Sequence, residues 1–284
     1  MTSQQPLEGI HVVSIAINLP GPAAVARLAA LGASVTTVLP PSGDPMQQFE
    51  AAYFEELHAG QELRYVNLKD ETGRGEVDEV LARADVFVTS SRPSALERLG
   101  LDWASVHSRH PQVCQVDIVG YPGDRAETAG HDLTYQAGAG MLADGRMPST
   151  LVVDLSGAER AAAEAAAALV ARARLGEGVR REVPLSDLAE TMSGPVRHGL
   201  TGPGRLLGGA LPVYAIYEAL EGRVALAALE PHFTTGLLEA LGLAQEECTH
   251  ERLAQVFAER SAADWEIWAT EHDVPLVAVT GDAG

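Results

Sequence analysis

Short apolar runs rich in β-branched residues alternate along this chain with Ala-rich stretches of helical period. Residues 10–17 (IHVVSIAI), bounded by Gly9 and Pro20, predict a buried strand. The turn NLPGP and the stretch AAVARLAALG follow and predict a short helix that ends at Gly32. A second strand is expected over 33–39 (ASVTTVL), followed by the loop PPSGDP. Further strands are expected over 63–69, 84–90 and 113–120, with a helix over 74–83 between the first two. This order predicts an α/β fold with a doubly wound, Rossmann-like parallel sheet.

The clearest helix is expected over 157–174, where Ala dominates and Glu159, Arg160, Glu164, Arg172 and Arg174 supply the charge. A turn and a short strand follow in LGEGVRREVPLSDL. The Gly- and Pro-rich stretch 193–212 predicts a linker between a large domain over 1–192 and a small α+β domain over 213–284. In the small domain a hairpin is expected around Glu221-Gly222, then helices over 233–241 and 249–258 and a strand in VPLVAVTG.

At 284 residues the chain is long enough for two unequal domains, and no apolar run reaches membrane-spanning length. The N-terminal MTSQQPLEG lacks the basic and apolar regions of a secretory signal, and two distant cysteines imply no disulfide framework. A cytoplasmic location is expected. The formal charge of −19, with Lys69 as the sole lysine, disfavours nucleic acid and acidic membrane surfaces as partners. The histidines are scattered without H-E-x-x-H or C-x-x-C pairing, so no metal site is expected.

Three polar stations stand out against small or apolar surroundings: Gly130-His131-Asp132, Asp154 in LVVDLSG, and Glu230 in ALEPHF. His131 beside a carboxylate suits a general base, and Asp132 suits either a nucleophile or a helix cap. Asp154 has the same two readings, catalysis or the cap of the Ala-rich helix. Glu230, ahead of Pro231, either orients a histidine or caps a helix. The Pro20-Gly21-Pro22 turn could offer main-chain N–H groups to an anion, and Arg92 stands where α/β ligands bind, beyond a strand's carboxyl end. A base and an acid on opposite sides of one carbon would suffice to invert a stereocentre beside a carbonyl.

Several blocks resemble family III CoA-transferases (CaiB/BaiF), and within them the α-methylacyl-CoA racemase branch. LEGIHVVSIAINLPGPAAVARLAALGASVTTV is similar to the family's opening strand, turn and helix. SRPSALERLGLDW resembles its R-P-G-x-x-E-R-L-G-L block, GHDLTY the racemase form G-H-D-x-x-Y, and LVVDLSG the second catalytic aspartate. YAIYEALEGRVALAALEPHF resembles the racemase segment that ends in G-A-x-E-P-x-F.

The resemblance implies a two-domain, interlocked homodimer that takes a CoA thioester as substrate and holds no cofactor tightly. It implies that His131 and Asp154 exchange the α-proton, that Glu230 positions His131, and that the N–H of Asp132 steadies the enolate oxygen. Pro20, Gly21, Arg64, Arg92 and Tyr135 are the candidate substrate-binding residues. The chain departs from the family where basic residues hold the nucleotide phosphates: Ala59-Gly60-Gln61 replace them, with Arg64 and Lys69 nearby. The stretch from His131 to Asp154 is trimmed, and the chain ends soon after VPLVAVTG, short of the family's C-terminal return. These departures keep two other readings open: a repurposed isomerase, cyclase or lyase acting on a carbonyl metabolite without CoA, and a CoA-transferase with Asp132 as nucleophile.

Overall fold

The computed structural model describes residues 5–142 and 145–281. It divides into two compact units, one covering residues up to Leu142 and Arg146–Ser193, the other running from Gly194 onward.

The first unit opens with β1 (His11–Ser14), α1 (Pro20–Ala30) and β2 (Ser34–Leu39), then α2 (Met46–Phe49), α3 (Ala51–Leu57) and β3 (Glu62–Tyr65). It continues through α4 (Glu71–Leu81), β4 (Val86–Thr89), α5 (Pro93–Leu99), α6 (Trp103–Arg109) and β5 (Cys114–Val119). It closes with α7 (Asp132–Gly138), α8 (Val152–Leu175), β6 (Arg180–Pro184) and α9 (Leu185–Met192). The six strands form one sheet in the order β3-β2-β1-β4-β5-β6, and every pair in it is parallel. The strand order reverses at β1, so a crevice opens between the carboxyl ends of β1 and β4.

Alternation along the strands divides the core between the two faces of the sheet. Val12, Val86, Val116, Ile118 and Val183 face α1, α8 and α9 and pack with Ala24, Val25, Leu28, Ala158, Ala161, Ala162 and Ala165. Val13, Val38 and Phe87 face the other way, toward Val77, Val80 and Leu81 of α4, Leu96 of α5 and Val106 of α6. The alanines matter on the first face because side chains no larger than a methyl let α8 lie close to α1 and the sheet.

Two elements differ from the sequence expectation for identifiable reasons. The third strand ends at Tyr65, not at 69, because the Asn67 side chain accepts from the Lys69 N–H (3.2 Å) and donates to Asp70 (2.8 Å), making a local turn. The long helix starts at Val152, well before 157, because a carboxylate from elsewhere in the chain caps its first turn (below).

In the second unit, the stretch expected as a plain linker holds α10 (Gly194–Arg197) and an irregular turn at Leu206–Ala210. Then β7 (Tyr214–Glu218) and β8 (Arg223–Ala227) form an antiparallel hairpin around Gly222, whose φ of +78° suits the turn. After α11 (Pro231–Leu241), α12 (His250–Phe257) and α13 (Ala262–His272), β9 (Leu276–Ala278) pairs antiparallel with β8. Leu237, Leu253, Phe257 and Trp265 fill this unit's core. The Trp265 indole N–H donates to the Phe257 carbonyl at 2.8 Å, so the buried ring keeps its hydrogen bond.

Candidate active site

A cavity of about 250 Å³ opens where the sheet order reverses. Its walls come from the segments that follow β1 (Ile17, Asn18), β4 (Ser90, Ser91, Arg92) and β5 (Gly120), and from the first turns of α1, α7, α8 and α9. His131, Tyr135, Asp154, Arg92 and Pro20 all line it, so residues from Pro20 to Asp154 share one space.

His131 precedes the first turn of α7 in extended conformation (φ −143°, ψ 164°). One hydroxyl fixes its backbone: the His131 N–H donates to Thr134 Oγ1 at 3.0 Å, and that hydroxyl donates to the His131 carbonyl at 2.8 Å. The imidazole is left solvent-accessible on the cavity wall.

Asp132 caps a helix, but not its own. Its Oδ1 accepts the main-chain N–H of Val153 at 2.7 Å and of Asp154 at 2.9 Å, satisfying two of the free donors at the start of α8. Gln136, one turn along α7, donates its side-chain N–H to Asp132 Oδ2. The carboxylate is 2% exposed and occupied by three donors. The expected capping of Asp132's own helix is thereby corrected, as is that of Asp154, which sits inside the first turn of α8.

Asp154 is 9% exposed and lines the cavity. Burial, reinforced by the negative charge of Asp132, pushes its carboxyl up to about 7. A carboxyl at that value exists in both protonation states near neutrality, which suits a group that must both give and take a proton.

Tyr135 forms the cavity's inner wall. Its ring stands edge-on to Tyr121 with centroids 5.5 Å apart, and its hydroxyl is pushed up to about 12, chiefly by burial. It is therefore a neutral phenol at physiological pH. Two glycines make room for it: a Cβ on Gly120 would lie 2.6 Å from the Tyr135 hydroxyl, and one on Gly130 would lie 2.5 Å from it. Gly130 in the G-H-D motif thus serves the packing of the tyrosine that follows.

Three other expected site residues stand differently. Gly21 does not line the cavity; it lies against Ala16, where a Cβ would come within 2.3 Å of the alanine methyl, so it brings α1 close to the end of β1. Arg64 is bound by Glu62 (2.7 Å) and lines a separate hollow with His11, Thr36 and Arg83. Glu230 is exposed at the start of α11 in the second unit, and its side chain makes no capping hydrogen bond.

Sequence reasoning passed over Asn18 and Asp44. Asn18 follows β1 with φ +65°, a left-handed conformation that asparagine tolerates better than most residues. The buried Asp44 holds it there, accepting the Asn18 N–H at 3.2 and 3.1 Å on its two oxygens. The signal was present as Asn directly after a strand and Asp in a Gly-Asp-Pro loop, but their pairing is tertiary. Among the described residues no group of His, Cys, Asp and Glu forms a metal site, and no helix is long and apolar enough to cross a membrane.

Known proteins share this architecture. The chain is 28% identical to human alpha-methylacyl-CoA racemase over 289 residues, which cover 91% of the chain and 74% of the racemase. It is 30% identical to mouse succinyl-CoA:glutarate CoA-transferase over 194 residues, 62% of the chain but only 44% of that enzyme's length. A crystal structure of a hypothetical protein (Rv3272) from Mycobacterium tuberculosis superposes with TM-score 0.83 at 23% identity, covering 98% of this chain and 84% of that one. A CAIB/BAIF family protein from Brucella suis does so with TM-score 0.81 at 23% identity, covering 98% and 85%. These two superpositions establish the fold. The model of CoA-transferase family III matches residues 7–283, and the chain belongs to that family.

Proposed function

We propose that this chain is a racemase-type enzyme that exchanges the α-proton of a 2-methylacyl thioester through His131 and Asp154. The observation that carries this reading is that an accessible imidazole and a buried carboxyl held near 7 line the same cavity. Neutral His131 takes the proton from one face of the α-carbon as the electron pair moves onto the thioester oxygen. Protonated Asp154 then delivers its proton to the opposite face, leaving imidazolium and carboxylate; the reverse direction exchanges the roles. The enolate oxygen requires a donor, and the Asp132 main-chain N–H at the first position of α7 is our candidate. Tyr135 and Arg92 line the space the thioester would occupy.

The relatives also include CoA-transferases, which would need a free carboxylate as nucleophile. The Asp132 carboxylate is instead committed to three N–H donors, which favours the racemase reading. The test is incubation of a single enantiomer of a 2-methylacyl-CoA in D₂O. Incorporation of one deuterium at the α-carbon with loss of optical purity supports the reading. An aspartyl thioester or anhydride trapped by hydroxylamine, without α-exchange, would favour the transferase. No turnover of any CoA ester would direct attention to a carbonyl metabolite without CoA.

A further inference from the structure

The strand order gives the active-site cavity a polar side and an apolar side. Asn18, Ser90, Ser91 and Arg92 follow β1 and β4, whereas Ile118 and Val119 belong to β5 and Leu185 follows β6. Neighbouring strands stand about 4.8 Å apart, so the carrier and the hydrocarbon chain of a thioester have separate sides to occupy. The buried Tyr135 belongs to the same apolar cluster as Ile118 and Leu185. A second hollow of about 290 Å³ lies against the same ring, and among the described residues Tyr135 alone lines both spaces. Elsewhere the partition is a single layer of backbone. Gly120 and Leu185 line the first cavity while the next residues, Tyr121 and Ser186, line the second, and the Ser186 N–H donates to the Gly120 carbonyl at 3.0 Å. The backbone at Gly120 and Gly130 closes on the Tyr135 hydroxyl and ring edge and holds the ring in place.

We propose that Tyr135 sets the acyl length this protein accepts: its ring ends the hydrocarbon side of the cavity and shuts off the hollow behind it, so the substrates are short 2-methylacyl groups. The inference rests on the thioester reading above and narrows its substrate class. The Tyr135 N–H donates to the His131 carbonyl at 3.1 Å, so the backbones of wall and base are one helical turn, about 5 Å, apart. An unbranched chain on a carbon that faces His131 therefore meets the ring within a few further carbons. Beyond the ring, Tyr121, Pro122, Gly138 and Ala139 offer apolar surface that the intact wall keeps out of reach.

The test compares kcat/KM for α-deuterium exchange of 2-methylbutanoyl-CoA and 2-methyldecanoyl-CoA. The unaltered protein and Tyr135→Phe, which keeps the ring, are expected to prefer the short ester by at least about tenfold. Tyr135→Leu opens the wall, and the ratio of long to short ester should rise by at least about tenfold, at roughly fourfold per methylene admitted. Gly138 lines the hollow, and a Cβ there meets nothing within 4 Å, so Gly138→Phe is placed to fill that space. Added to Tyr135→Leu, it should return the ratio toward its original value, which a general loosening of the site would not. Equal use of both esters by the unaltered protein would overturn the proposal, and this holds even if Tyr135→Leu fails to fold. An unchanged ratio in folded Tyr135→Leu, or a gain that survives Gly138→Phe, would overturn it as well. Exchange of neither ester by the unaltered protein would instead remove the thioester reading, and the proposal with it.

Discussion

Asp132 Oδ1 accepts the main-chain N–H of Asp154 at 2.9 Å, so one carboxylate positions the other and adds to the burial that raises its pKa. The hydrogen bond fixes the first turn of α8, and the like charge adds to burial in keeping the Asp154 carboxyl protonated to about 7. Asp132→Asn separates these roles. The amide oxygen can still cap α8, and Gln136 can turn its own oxygen toward the new NH₂. In the direction where Asp154 donates, activity is present below its pKa and lost above it; in the opposite direction it rises through the same range. Both limbs should move to lower pH in Asp132→Asn, read as kcat/KM against pH for each enantiomer. A nucleophilic Asp132 would instead lose all activity on this change.

The raised carboxyl of Asp154 also makes a stability prediction. Its folded value of about 7 exceeds the ordinary 3.8, so the folded protein binds the extra proton between those values. Stability from this group is present below about pH 4 and is lost as pH rises through 7. The loss is of order 4 kcal/mol at most, at about 1.4 kcal/mol per unit. Asp154→Asn should therefore gain on the native protein as pH increases from 4 to 8, measured by denaturant unfolding at each pH. Parallel curves for the two proteins would show that Asp154 titrates normally.

Gly120 and Tyr135 are predicted to be coupled. A methyl at 120 meets the tyrosine hydroxyl at 2.6 Å, whereas its next contacts are at an ordinary 3.6 Å. Gly120→Ala should destabilise by about 1–3 kcal/mol, the usual range for overpacking. Adding Tyr135→Phe should restore most of that, giving a favourable coupling in a double-mutant cycle. Gly130→Ala should be rescued less, because its methyl also meets a ring carbon of Tyr135 at 2.5 Å.

Short-range patterns in this chain are legible in the sequence, and long-range contacts are not. The β1–α1–β2 unit and the β7–β8 hairpin follow from contiguous patterns: β-branched runs, an Ala-rich period, and a glycine at the turn. The start of α8 did not follow, because its cap comes from Asp132, twenty residues away across a loop. The helix α13 was passed over because AADWEIWATEH carries apolar residues on several sides, and only the fold shows Trp265 and Trp268 buried. His131 and Asp154 stood out as polar residues in small or apolar settings, and the fold brings them to one cavity. Arg64 stands apart from this cavity because Glu62, two residues before it on β3, lies on the same side of the strand and takes its guanidinium.

Face-resolved exchange tests most directly whether His131 and Asp154 address opposite faces of one carbon. Each enantiomer of a 2-methylacyl-CoA would be incubated in D₂O with the His131→Ala and Asp154→Asn proteins, and α-deuterium followed by NMR. Each variant should exchange the proton of one enantiomer only, the two variants should retain opposite enantiomers, and neither should racemise. Exchange of both enantiomers by either variant at the rate of the unaltered protein would contradict the assignment.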